Sequence, residues 1–116
     1  MKRIYLDYLN DMLSSIQEIE SFTLGINYQM FIENRMLRNA VVRSLEVLGE
    51  ASKGIPDEIR EKYSQIPWKR ISGMRDKLIH NYFGVDYEMV WTVVIERLPE
   101  IKSPLESILK EENSNM

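Results

Sequence analysis

Apolar residues recur at alternating steps of three and four along most of this chain, the period of a helix with one core-facing stripe. Everything regular in the sequence therefore reads as helix. The first predicted segment, residues 2–22, carries Tyr5, Leu9, Met12, Ile16 and Ile19 on one stripe. Residues 23–27 break the pattern, and Gly25 suits a C-terminal cap there. A short helical turn at residues 28–32 leads into what reads as the longest helix, residues 33–53. That helix places Met36, Leu37, Ala40, Val41, Leu45, Val47, Leu48 and Ala51 on one broad arc, with Arg43, Glu46 and Glu50 opposite. So wide an apolar surface predicts burial on more than one side.

Gly54 and Pro56 end that helix, and Asp57 and Glu58 then occupy the first turn of a short one, where the helix dipole favours acids. Pro67 opens a helix predicted to run to Tyr82, and Gly84 stops it. Asp86 caps the next, with Val85 and Val90 as a hydrophobic staple and Tyr87, Val90, Trp91, Val94, Ile95 and Leu98 as its buried face. Pro99 interrupts, Ser103-Pro104-Leu105-Glu106 forms a capping box for a last helix ending near Lys110, and residues 111–116 read as a frayed polar tail. The expectation is one all-α domain over residues 1–110, a compact antiparallel helical bundle.

With 116 residues there is room for one modest core, and 44% apolar with 28% charged residues is ordinary for a globular protein. No apolar run approaches the roughly 20 residues that span a bilayer. Asp7 stands where a signal peptide needs its apolar stretch, so a cytoplasmic protein is expected, with no membrane partner. The absence of cysteine removes disulfides and thiolate chemistry, and a single histidine excludes multi-histidine metal sites within one chain. No metal or other cofactor is expected. The net charge of −3 does not advertise a nucleic-acid binder. Locally the balance differs. Lys69, Arg70, Arg75 and Lys77 stand against Asp76 alone, a net +3 island on a body of −6. Screening confines fields to about 8–10 Å, so such an island can still attract phosphate.

On a helical wheel for residues 67–82, Trp68, Ile71, Met74, Leu78, Ile79 and Tyr82 form a core face, and Arg75 falls in its middle. Guanidinium does not lose its proton, so an arginine so placed needs a partner. It is half of a pair with Glu46 or Glu50, a side chain snorkelling at the rim, or a ligand for a bound anion. His80 lies about 140° away on the same ideal helix. It stands four residues after Asp76, a spacing that lets the carboxylate accept from one ring nitrogen and leaves the other for proton transfer. A lone histidine near a helix end also reads as a plain surface residue. Arg75 and His80 of one regular helix do not face one small target. Either the helix distorts before His80, or two copies complete each other's sites.

The run Gly73-Met74-Arg75-Asp76-Lys77-Leu78-Ile79-His80-Asn81-Tyr82-Phe83-Gly84-Val85-Asp86 closely resembles the signature of the HepT branch of the HEPN superfamily, whose motif is arginine, four residues, histidine, one residue, tyrosine. Arg43 to Ala51 looks like that family's long helix, and Ile66-Pro67-Trp68 like its lead-in to the motif. The resemblance implies a metal-independent endoribonuclease, the toxin of a type VII toxin–antitoxin pair, acting as a homodimer with the motifs at the interface. It implies that His80 takes the proton of a ribose 2′-OH, that Arg75 stabilises the charged transition state, and that Asp76 orients or tunes His80. An unperturbed histidine pKa near 6.5 suits that role. The need for a 2′-OH makes RNA the substrate and excludes DNA. Lys69, Arg70 and Lys77 are candidate RNA contacts. By the same resemblance, the cognate antitoxin is a minimal nucleotidyltransferase that transfers AMP from ATP to Tyr82, whose plainer reading is a core aromatic. The alternative is a non-catalytic subunit that binds or presents substrate in a nucleotidyltransferase complex, which the acidic overall charge would suit.

Overall fold

A computed structural model describes the backbone of residues 2–80 and 84–115, and the side chains of residues 4–78 and 84–115. Two long helices, α1 (Lys2–Thr23) and α3 (Arg35–Lys53), pack along each other, joined by the short α2 (Tyr28–Glu33). Then follow α4 (Asp57–Lys62), α5 (Trp68–Ser72) and α6 (Met74–Leu78). A two-residue antiparallel ribbon, β1 (Ile79–His80) with β2 (Gly84–Val85), leads into α7 (Tyr87–Thr92). A π turn (Val93–Arg97) joins α7 to α8 (Leu98–Ser114), which returns against α1. The class is all-α, as the periodicity predicts.

The core stripe of α1 is the one legible in the sequence: Leu9, Met12, Ile16 and Ile19 are fully buried and Tyr5 nearly so. Gly25 ends the helix turn at φ +73°, a conformation that carries no penalty without a Cβ. Asn27 and Asn34 cap α2 and α3 through side chains that accept from Met30 N and Leu37 N. On α3 the buried face is Val41, Ser44, Leu45, Leu48, Gly49, Ala51 and Ser52. Met36, expected inside, is 82% exposed. Among the described helices α1, with 22 residues, exceeds α3, with 19.

Gly49 lets α5 approach closely, since a Cβ there would lie 3.1 Å from the Ile71 carbonyl oxygen. Ser52 Oγ, 2.7 Å from Ser72 Oγ, ties the same two helices. Behind them Trp68 Nε1 donates to the Tyr63 carbonyl at 3.1 Å. Asp86 accepts from Met89 N as the cap of α7, and Val90, Val94 and Leu98 are buried. Ile95, expected on that face, is 54% exposed.

Two expectations for the C-terminal third are corrected. The two prolines do not divide it: α8 starts at Leu98 and passes through Pro104, so Ser103 caps nothing. Pro99 acts one turn earlier. Its ring excludes the Ile95 carbonyl from the usual bond, and the helix widens so that Leu98 N–H donates to Val93 O, five residues back. Nor are residues 111–114 a frayed tail. They belong to α8, where Glu112 is buried beneath Tyr5 and Tyr63.

Candidate active site

The segment expected to be one helix from Pro67 to Tyr82 is three pieces. Gly73 separates α5 from α6, and the α-helical path ends at Leu78. Ile79 and His80 are extended and pair with Val85 and Gly84, while Asp86 N–H donates to Leu78 O at 2.8 Å. The helix stops before His80, so the offset of one ideal helix does not describe how Arg75 and His80 are placed. Asp76 and His80 therefore do not share a helical i,i+4 relation, and Asp76 is exposed on α6. The His80 side chain and all of Tyr82 lie outside the described residues.

Arg75 is not in the middle of the core face. Met74 and Leu78 fill the interior, and Arg75 flanks them at the rim, 56% exposed. Its Nε donates to Glu46 Oε2 of α3 at 3.1 Å, the pair that the spacing admits, but on the surface. Such an ion pair is worth about 0–1 kcal/mol, since water competes for both ends. Among the described residues this is the one hydrogen bond Arg75 makes, and none of them engages its terminal nitrogens, the groups that bind an oxyanion.

Beside Arg75, Val42, Leu45, Glu46, Met74, Leu78 and Val90 enclose a cleft of only about 10 Å³. That is the size of a single water. Among the described residues, Arg75 thus stands at an open surface without walls to hold a nucleotide beside it. The opposite flank of α6 differs. Arg70 and Lys77 border an open groove of about 470 Å³ between α5–α6 and the π turn with the start of α8. Lys69, also expected to touch RNA, is exposed and does not line it. Arg97, on the facing wall, is a cation the sequence reading passed over. Its signal lay in Pro99, two residues on, which forces the π turn that carries it.

Among the described residues no group of three or more acidic, histidine or cysteine side chains is placed to hold a metal ion. No described helix is long and apolar enough to cross a membrane.

Against known proteins, the family model described as "Ribonuclease HepT-like" matches residues 12–108. A Methanocaldococcus jannaschii protein named as an RNase is 51% identical over 110 residues, 95% of this chain and 95% of that one. A Caldanaerobacter subterraneus protein, also named as an RNase, is 44% identical over 105 residues, 90% of this chain and 94% of the other. A Thermococcus cleftensis protein named as a ribonuclease HepT is 44% identical over 110 residues, 95% of this chain and 100% of its own. No solved structure matches.

Proposed function

The chain belongs to the HepT-like ribonuclease family, and from that premise we propose that it is a metal-independent endoribonuclease, the toxin of a type VII toxin–antitoxin pair. The family match carries this reading, because its span of residues 12–108 contains Arg75, His80 and Tyr82 in motif order. In the proposed reaction His80 takes the proton from a ribose 2′-OH, and the oxygen attacks the adjacent phosphorus. The bond to the 5′ oxygen breaks, that oxygen leaves as a hydroxyl with a proton from water, and a 2′,3′-cyclic phosphate remains. Arg75 exchanges its weak contact with Glu46 for the equatorial oxygens of the phosphorane-like transition state, where a second negative charge develops. The role of orienting or tuning His80 stays with Asp76 on the family resemblance alone, since the end of α6 at Leu78 removes the helical spacing between them.

We propose a working homodimer, as the family resemblance implies; among the described residues Arg75 has only a cleft of about 10 Å³ beside it, and a second copy would add a wall and its own histidine. Tyr82 is the acceptor of AMP from a nucleotidyltransferase antitoxin. The adduct's phosphate competes with RNA for Arg75. We place the protein in the cytoplasm, where a toxin of this kind would meet cellular RNA.

Expression of the chain alone, beside His80→Ala and Arg75→Ala, tests the toxin reading. Growth arrest by the wild type and normal growth with both variants is the expected result. Equal growth in all three, with folded protein unmodified at Tyr82, would replace it with the non-catalytic subunit that the acidic surface also fits. Incubation with the cognate nucleotidyltransferase and ATP should add the mass of AMP at Tyr82 and nowhere in Tyr82→Phe.

A further inference from the structure

We propose that the groove on the far flank of α6 is a binding track for the RNA strand, and that Arg97 is a phosphate-contacting residue within it. The inference rests on the ribonuclease reading for its choice of ligand, and on the groove's own construction for the site. Its floor is apolar: Ile71, Met74, Leu78 and Ile101 are buried and Val93 half-buried. Its rim is cationic from both sides, Arg70 and Lys77 on one wall and Arg97 on the other. One carboxylate, Glu100, lines it, and that group lies 3.8 Å from Arg97 Nη1 with both side chains more than half exposed. The groove therefore carries net positive charge on a protein whose total is −3. Its volume of about 470 Å³ accommodates a nucleotide, with apolar side chains under the base and guanidinium or ammonium groups at the backbone.

The π turn is what assembles the facing wall. At about 100° per residue, Met89 and Ile101 of an unbroken α-helix would stand roughly 120° apart. One extra residue taken up in the wide turn brings them to within roughly 20°. Met89, Val93, Arg97 and Ile101 thereby all border the same groove. A loosened turn weakens a helix, and here it aligns a row of four side chains on a large groove adjoining α6. Because α6 bears Arg75 on one flank and Lys77 on the other, a strand crossing it passes from the proposed cleavage site into the track.

The test uses His80→Ala protein, which binds without cutting, and a fluorescent single-stranded RNA titrated at several salt concentrations. Removing one phosphate contact lowers the slope of log affinity against log salt by about 0.7 for a single strand. Arg97→Gln should show that loss, and Arg97→Glu should weaken binding about tenfold, uniformly across RNA sequences. Lys53→Gln, outside the groove, should change neither. Unchanged affinity and slope in Arg97→Glu would overturn the proposal, as would failure of the parent to bind RNA. So would a change of oligomeric state by light scattering with RNA affinity intact, which would give the groove to a second copy of the chain. Cleavage by the wild-type protein is measured on the same RNA. Binding that depends on Arg97 without cleavage would sink the ribonuclease reading and leave the track. Cleavage with no effect at Arg97 would do the reverse.

Discussion

Glu112 and Glu46 each accept from a cation on a neighbouring element, yet they occupy opposite kinds of environment. Glu112 is 4% exposed and receives the hydroxyl of Tyr5 at 2.5 Å, the hydroxyl of Tyr63 and the ammonium of Lys62 at 2.9 Å. Glu46 is 26% exposed and, among the described residues, receives Arg75 Nε alone. Burial would push the Glu112 carboxyl up, but the bonds from Tyr5, Tyr63 and Lys62 outweigh it and hold its pKa down to about 2. The same cluster pushes both tyrosines up to about 12, through burial first and their bonds to Glu112 second. One carboxylate is saturated by the fold and fastens α8 to α1 and α4. The other holds its cation through a single contact, which phosphate would displace in the proposed reaction.

That contrast predicts that substitutions at the two places separate activity from stability. His80→Ala should lower cleavage on the order of 10²–10⁴-fold, the usual contribution of a general base, with the melting temperature unchanged. Loss of activity together with loss of fold would break the contrast. Glu112→Ala leaves two buried tyrosine hydroxyls without an acceptor, at about 1–3 kcal/mol each. Its melting temperature should fall by roughly 10 °C or more, while cleavage per folded molecule at 20 °C stays within about twofold.

The pH dependence carries the same signature. The folded pKa of Glu112 lies below its ordinary 4.5, so the unfolded chain takes up the proton first as pH falls. Stability from this group is therefore full above about pH 4.5 and drains away towards pH 2. The raised tyrosines act at the other end, full below pH 10 and lost towards pH 12. Urea melts across both windows should show these slopes in the wild type, and Glu112→Gln should lose the acid one.

Gly49→Ala sets a Cβ 3.1 Å from backbone oxygen, which does not yield as a side chain would. A cost of about 1–3 kcal/mol is expected. The smallest effect belongs to Glu46→Gln. Stability should change by less than about 1 kcal/mol, and RNA affinity should hold or rise slightly as Arg75 is released. A large loss of stability there would place Glu46 in the same class as Glu112.

How far the sequence disclosed this molecule follows from the range of the forces involved. The stripe of α1 and the cap at Asp86 are local, set by spacing within a few residues, and both stand where the pattern places them. The end of α6 was not legible, because the stops at Gly73 and Leu78 interrupt an apolar pattern that stays helical in period through Tyr82. Glu112 read as part of a polar tail, since nothing near it in sequence announces Tyr5, 107 residues away. Arg75 was legible as a residue in need of a partner, and Glu46 was one of two candidates. Its exposure was not legible, because it depends on how α3 and α6 cross. Arg97 was hidden by the assumption that Pro99 ends a helix, when it widens one.

In the proposed reaction Arg75 and His80 cut RNA without a metal. The most direct measurement incubates purified wild-type protein with mixed cellular RNA and EDTA, beside Arg75→Ala and His80→Ala of equal melting temperature. Fragments with 2′,3′-cyclic phosphate ends from the wild type alone are the predicted result. No fragments from wild-type protein shown by mass to be unmodified at Tyr82, or the same fragments from all three, would contradict the account.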